Sequence, residues 1–404
     1  MSNGIPFIRI ENIKGGFDID DAELIYISEF DHMRLSNSAL KVDDLILSKV
    51  GNSIGYFARV DELINECNIS ENNIGIKLHS FPYERKHYIL TYLNTHYANK
   101  LVLRRRSGNA QPKLNVGDLT YIPIPLFSAD LELKISELVM RSKYTIELSK
   151  SAYRDAEYIL LNKLELIEWH IPSKTQSVKK VSESFIESGR LDAEYYQPKY
   201  DELINLVKSH QSGYGKLEML FLIKDRNYIP EDGCLYKYIE LSNIGSDGSI
   251  TGHTEALGED LPSRARRIVR SGDLIVSSLE GSLNSCAIIP EKYDGAICST
   301  GFYVLTPKDI NVETALVLFK SQLMQALMTR VCSGSIMAGM NTDEFANLII
   351  PKIDQHTQHV IAEIIQDCAQ EREESIRLLE LAKTAVEVAI EQGEDKAMEL
   401  LTNK

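Results

Sequence analysis

"SGNAQPKLNVGDLTYIPIP", residues Ser107–Pro125, and "SGSIMAGMNTDEFANLIIP", residues Ser333–Pro351, are two versions of one pattern. At a constant offset of 226 they align Ser107 and Gly108 with Ser333 and Gly334, Asn115 with Asn341, and Pro125 with Pro351. Earlier landmarks recur in the same order. "FIRIENI" (Phe7–Ile13) matches "YIELSNI" (Tyr238–Ile244), and "VDDLILSKVGNSIGYFARV" from Val42 matches "SGDLIVSSLEGSLNSCAII" from Ser271. A chain written twice predicts an architecture built twice.

Working outward from the pair, each copy begins with short apolar runs such as "DLILS" and "DLIVS", broken by Gly, Asn and Ser turns as half-buried strands are. One helix should follow, over roughly 84–104 in the first copy and 312–330 in the second. The quoted stretch then returns to a strand ending in "IPIP" or "IIP", where proline fits a strand end because it has no N–H to give. After each proline the apolar period changes to between 3.5 and 3.6. Leu131, Ile135, Leu138, Ser142, Ile146, Ser149, Tyr153, Ala156, Leu160 and Leu164 form one seam; Ile361, Ile365, Cys368, Leu379, Val386 and Ala389 form the other. About 40 residues at 1.5 Å each make a rod of roughly 60 Å. Two such rods are expected to pair antiparallel and hold the two copies apart; the alternative is that each helix packs only on its own domain. "HIPSKTQSVKKVSES" (His170–Ser184) reads as a linker, and Asp192 as a cap near a helix around 195–208.

The chain has 404 residues, 44% hydrophobic and 25% charged, enough for two or three domains with separate cores. No stretch approaches the roughly 18 apolar residues of a membrane span, and the N-terminus lacks the basic-then-apolar order of a signal peptide, which predicts a cytoplasmic protein. Six scattered cysteines without a C-x-x-C pair read as reduced and mostly buried. The net charge of -14 argues against a polyanionic partner, yet between Lys77 and Lys113 eight Lys or Arg face one acid, Glu84. The acid lies elsewhere: from Asp354 to Glu391 nine carboxylates face three bases.

There is no G-x-x-x-x-G-K-[ST] loop, no G-x-G-x-x-G, no G-x-S-x-G and no Pro-Pro pair, so the Asp/Asn-Pro-Pro motif of adenine methyltransferases is missing. His356 and His359 have metal-ligand spacing but no third ligand, and read as a solvated face. Ser282 and Ser285 have no neighbouring His and read as loop residues.

With "PFIRIENI", the "DLILSKVGNSIGYFARV" hairpin, "SGNAQPKLN" leading to "LTYIPIPLF", a long helix, and "RLDAEYYQPKY" before the second copy, the chain resembles the specificity subunit of Type I restriction-modification enzymes over nearly its whole length. The resemblance implies an α+β fold: two repeated β-rich α/β target recognition domains separated by two long antiparallel coiled-coil helices. It implies domains at 1–127 (N-terminally short) and 191–353, spacer helices at 128–169 and 354–392, a linker at 170–190 and a tail at 393–404. It further implies no catalytic activity and no cofactor. The subunit would read a bipartite double-stranded DNA target and dock methyltransferase subunits and, through them, the restriction and translocase subunit. S-adenosylmethionine, ATP and Mg would belong to those partners, and no membrane is involved. The alternatives are the specificity portion of a fused Type II-like enzyme, or an assembly scaffold that binds protein only.

DNA contact is expected at the first copy's basic helix and its end, Arg85, Lys86, Arg104, Arg105 and Arg106; arginine bonds guanine in a bidentate way, while the other reading is a helix end whose cations complement the dipole. In the second copy the cluster shifts to Arg264, Arg266, Arg267 and Arg270. The matched glycine loops, "KVGNSIG" and "EGSLNS", contribute Lys49, Asn52, Ser53, Glu280 and Asn284 as base readers, and Gly51 and Gly281 as tight-turn residues. The copies differ in one respect. The 47 residues Leu191–Lys237 precede the first landmark strand of the second copy, while five precede Pro6. The chain is therefore expected to be a shortened form, part of a larger fusion, or completed by another chain.

Overall fold

A computed structural model describes residues 4–13, 17–20, 24–51, 54–108, 112–169, 176–245, 247–334 and 338–402. The turn residues 109–111 and 335–337, and 170–175 of the linker, lie outside them.

The first copy runs β1 (Ile5–Ile8), β2 (Ile25–Ile27), α1 (Glu29–Arg34), β3 (Ala39–Lys41), β4 (Leu45–Ser48), β5 (Phe57–Arg59), β6 (Glu66–Ile69), β7 (Asn73–Ile76), α2 (Tyr83–Leu93), α3 (His96–Arg105), α4 (Val116–Leu119) and α5 (Ala129–Lys163). The second begins with α6 (Phe185–Ser188), α7 (Pro198–Ser209), β8 (Tyr214–Lys216), α8 (Leu217–Leu220) and β9 (Phe221–Lys224). It continues with β10 (Leu235–Ile239), β11 (Thr254–Leu257), β12 (Ala265–Ile268), β13 (Leu274–Ser277), β14 (Cys286–Ile288), β15 (Ile297–Ser299) and β16 (Phe302–Pro307). It closes with α9 (Val312–Lys320), α10 (Gln322–Val331), α11 (Thr342–Ala346), β17 (Ile349–Pro351), α12 (Gln355–Gln392) and α13 (Glu394–Thr402). Two compact units result: unit 1 is Met1–Glu147 with Glu371–Lys404, and unit 2 is Leu148–Gln370. The fold is α+β, and no helix among the described residues is long and apolar enough to cross a membrane.

The duplication extends to topology and register. Unit 1 has sheets in the order β2-β1-β6-β3 and β5-β4-β7; unit 2 has β11-β10-β15-β12 and β14-β13-β16-β9. In each unit the first sheet carries one parallel pair, β1 with β6 and β10 with β15, among antiparallel ones. The turn before the central strand shows why the register repeats. Asp43 takes a positive φ of 69° where Gly272 takes 82°. The next residue is a buried aspartate: Asp44 accepts from the N–H of Lys41 (3.0 Å) and of Leu78 (2.9 Å), and Asp273 from the N–H of Arg270 (2.8 Å). A buried carboxylate costs too much unless it is so bonded, so each aspartate fixes one chain path.

The predicted single helix of each copy is two helices. The apolar period runs across the break, but Thr95 and Ser321 turn their side chains back onto the N–H groups of Ala98 and Met324, capping α3 and α10. The "IPIP" segment of unit 1 is not a strand, whereas Ile349–Pro351 is one because β8 pairs with it. Asp192 does not cap α7; it bonds Arg190, and Pro198 opens that helix. Gly281 has no positive φ and lies in a short 3-10 turn, Glu280–Ser282, while Gly51 has the expected φ of 76°.

The long helices pair antiparallel in each unit, and they also close the domain cores. In unit 1 Ser142 Oγ meets Ser375 Oγ at 2.8 Å; in unit 2 Ser149 Oγ donates to the Cys368 carbonyl at 2.8 Å and Lys163 pairs with Asp354 at 2.8 Å. Leu131, Ile135 and Leu138 join Tyr88, Tyr92 and Val386 in the unit 1 core; Ala156, Leu160 and Ile361 join Phe319 and Phe345 in that of unit 2. The predicted seams are buried except at Ile146, Tyr153 and Leu379, which are half-buried; in α12 the buried row Cys368, Ser375, Ala382 and Ala389 repeats every seven residues, and Leu378 is buried beside it.

His87 on α2 is buried, its Nδ1 2.8 Å from Ser136 Oγ, and burial, reinforced by Arg59, depresses its pKa to about 4. The unfolded ring protonates near 6.5, so between these values the unfolded chain binds more protons than the folded one. The stability present above about pH 6.5 is lost on acidification toward pH 4, at up to about 1.4 kcal/mol per pH unit. Urea unfolding across that range should show this slope, and His87→Gln should flatten it.

Candidate nucleic-acid interface

The glycine loop after β4, the C-terminal end of α3 and the turn after it meet at one end of unit 1. Asn94, at the helix break, bonds both backbone groups of Phe57 on β5, donating Nδ2–H to its carbonyl (3.1 Å) and accepting its N–H (3.3 Å). One turn later Asn99 Nδ2 donates to the Gly55 carbonyl at 3.1 Å. Helix α3 is thereby fixed to the loop. Ser107 and Lys113 exchange two backbone hydrogen bonds of 2.8 Å, and Leu114 N–H donates to Lys49 O at 2.9 Å. The turn is thus laced to the loop as well.

These elements and α12 enclose a cleft of about 670 Å³ lined by Gly51, Tyr56, Asn99, Lys100, Arg106 and Lys383 among others. On its acidic side Lys383 pairs with Glu380, and His96 Nδ1 lies 2.6 Å from Glu387. Lys100, Arg104, Arg106 and Lys113 are exposed and have no ion pair among the described residues, and Arg105 lies over the Tyr121 ring at 5.2 Å. Arg85 and Lys86 do not belong here. Arg85 Nε bonds Glu132 of α5 at 2.8 Å and Lys86 pairs with Asp43 at 3.3 Å. Both are spent on the fold. Asn52 and Ser53 lie outside the described residues.

Unit 2 repeats the lacing. Met340 N–H donates to Ser278 O at 2.9 Å and Glu280 N–H to Ala338 O at 3.0 Å, so Glu280 stands exposed beside the turn. Asn284 accepts from Lys320 Nζ through Oδ1 at 3.0 Å. The four arginines are not one patch. Arg264 is exposed, and its carbonyl accepts from Thr300 N–H, next to Gly301, whose carbonyl bonds the start of the glycine loop at Ser278. Arg270 lies at the other end of β12, roughly 20 Å away at strand rise, paired with Asp294 at 3.3 Å. Arg266 donates to Ser263 O, and Arg267 is half-buried, its Nε and Nη1 without a partner among the described residues. Helix α10 ends differently from α3: Arg330 donates to Tyr195 O at 3.2 Å, and Arg190 and Arg330 both stack on the Tyr195 ring, at 4.5 and 4.1 Å.

Sequence reasoning missed Lys100, Lys113, Lys383 and the clamp at Tyr195. Lys100 and Lys113 were visible in the basic run, but only the fold separates them from Arg85 and Lys86. His359 pairs with Glu363, and no group of three potential metal ligands gathers among the described residues.

Residues 216–380 match the family model described as the Type I restriction modification DNA specificity domain. No curated protein matches the chain. Among solved structures it is similar to the S subunit of a Type I restriction-modification system from M. genitalium, with 13% identity over 99% of this chain and 89% of that one, TM-score 0.38. A second is the HsdS subunit of Thermoanaerobacter tengcongensis, with 13% identity, coverage of 96% and 90%, and TM-score 0.29. A third comes from a study of assembly and conformational transition in the type I R-M system, with 13% identity, coverage of 96% and 92%, and TM-score 0.30.

Gly55 has a φ of 100°, and a Cβ there would lie 2.6 Å from Asn99 Nδ2. Gly55→Ala should therefore cost about 1–3 kcal/mol of unfolding free energy, through backbone strain and the displaced amide. Chemical denaturation checks this, with Gly51→Ala as the comparison in which strain acts without a clash.

Proposed function

We propose that this chain, whose residues 216–380 match the model of the Type I restriction modification DNA specificity domain, reads double-stranded DNA and leaves catalysis to its partners. The observation that carries this reading is the gathering of Lys49, Lys100, Arg106 and Lys113 at one end of unit 1, in a chain whose net charge is -14. Cations concentrated against an acidic background are the electrostatic footprint of a polyanion. Phosphate contacts supply affinity and register, while base edges supply sequence. In unit 2 the exposed Glu280 and Arg264 flank the equivalent loop; a carboxylate accepts from cytosine N4 and a guanidinium bonds guanine.

Two units with one scaffold and different loops read two different half-sites, so the target is bipartite. The charged faces of α5 and α12 dock methyltransferase subunits and, through them, a restriction and translocase subunit. The methyl donor, ATP and Mg belong to those chains, and the assembly works on DNA in the cytoplasm.

The test uses the chain assembled with its methyltransferase subunits. Lys100→Glu with Arg106→Glu should weaken binding to the target and lower the slope of log K against log salt by roughly 1–2, since each phosphate contact contributes about 0.9. Inserting a few base pairs between the half-sites should abolish specific binding by the unaltered complex. An unchanged slope together with indifference to the gap would leave the chain a protein-only scaffold.

A further inference from the structure

Two positions at the helix break recur at the offset of the repeat and do the same task with different side chains. Lys320 lies 226 residues after Asn94, and Gln325 lies 226 after Asn99. In unit 1 Asn94 bonds both backbone groups of Phe57, the first residue of β5, and Asn99 Nδ2 donates to Gly55 O at 3.1 Å. In unit 2 Lys320 Nζ donates to Asn284 O at 2.8 Å and to its Oδ1 at 3.0 Å, and Gln325 Nε2 donates to Leu283 O at 3.2 Å. All four hold the outgoing end of a glycine loop. The incoming ends are held at the same offset, by Leu114 N–H on Lys49 O and Met340 N–H on Ser278 O, each at 2.9 Å. Between the two holds stand residues 50–54 in unit 1 and 279–282 in unit 2, five against four.

The arms match the loops they hold. Gly55 has a φ of 100°, and a Cβ there would lie 2.6 Å from Asn99 Nδ2, so the short asparagine approaches a backbone that any side chain would block. In unit 2 the acceptor is Leu283, at a φ of -55°, and glutamine reaches it with one more methylene. The arms are themselves braced on their helices. Gln325 Nε2 also donates to Phe319 O at 2.7 Å, and Asn94 Nδ2 to Leu90 O at 3.1 Å. An amide that spends one N–H on a helix-end carbonyl has its second N–H aimed in one direction. Attachment points stay constant while arm and loop change together.

We propose that Asn94 and Asn99 in unit 1, and Lys320 and Gln325 in unit 2, are positioning residues that set which bases each glycine loop prefers. The inference rests on the DNA-reading function proposed above. A hydrogen bond to a base edge needs a donor–acceptor distance within a few tenths of an ångström and near-linear geometry, so a loop released at one end samples many aims and discriminates less. Phosphate contacts through long flexible cations such as Lys100 tolerate that motion. Sequence preference and salt dependence should therefore separate.

The test takes the chain assembled with its methyltransferase subunits, selects bound duplexes from a randomised DNA library, and sequences them. Asn99→Ala and Gln325→Met change no charge. Each should lower base preference at least about fivefold, the lower end of what one base contact discriminates, in one half-site only, and the two variants should affect different half-sites. Both should leave the slope of log K against log salt unchanged. Asn99→Gln and Gln325→Asn, which keep the amide and alter only its reach, should give the same split where loss of the amide unfolds a unit. Preference unchanged in all four variants overturns the proposal. So does relaxation of both half-sites by each variant, or a fall in the salt slope, since either marks general weakening of the fold. Failure of the unaltered complex to select any sequence contradicts the DNA-reading function itself, and this inference falls with it.

Discussion

Ser142 and Ser375 meet hydroxyl to hydroxyl in unit 1, and Ser149 bonds the backbone of Cys368 in unit 2. Everything else in the two domains is built around these contacts between α5 and α12. Small residues at heptad spacing let two helix backbones come close, and a buried hydroxyl there must find its partner, so one register is selected over a slip of a turn. Each domain then uses the same helices as the floor of its core. Leu131, Ile135 and Val386 carry α2 and α13 in unit 1, and Ala156, Leu160 and Ile361 carry α9 and α11 in unit 2. A helix that both pairs and floors a core has apolar residues on more than a narrow seam. This accounts for Leu378, which lies outside the seam read from the sequence.

The duplicated scaffold is stiff where its polar groups are satisfied and variable where they face solvent. Asp44 and Asp273 hold the same turn before the same strand, and paired backbone bonds tie the glycine loop to the turn in both units. The surfaces presented differ: free cations in unit 1, and Glu280, Arg264 and a guanidinium pair closed on Tyr195 in unit 2. A scaffold of this kind changes the surface it presents without changing how it folds.

Much of this was legible in the sequence. The offset between copies, the strand runs and the long helices follow from periodicity, and α12, read as 354–392, spans Gln355–Gln392. The break between α2 and α3 was not legible, because the apolar period crosses Asn94 and Thr95 and masks the cap. Nor was the fate of Arg85 and Lys86. Their partners Glu132 and Asp43 are 47 and 43 residues away, a separation at which charge counting is blind. The arginines of β12 failed as a cluster for a related reason: a strand sends its neighbours apart, whereas the turn after α3 brings distant cations together.

The most direct test of this account is a cross-link. With Ser142→Cys and Ser375→Cys introduced together, the 2.8 Å approach of the two side chains predicts a disulfide within the chain under mild oxidation, seen as a faster band on a non-reducing gel. Failure of that pair to close, with closure of a Ser149→Cys and Ser375→Cys pair instead, would mean that α5 and α12 meet in another register, and the duplicated scaffold built on them would not stand.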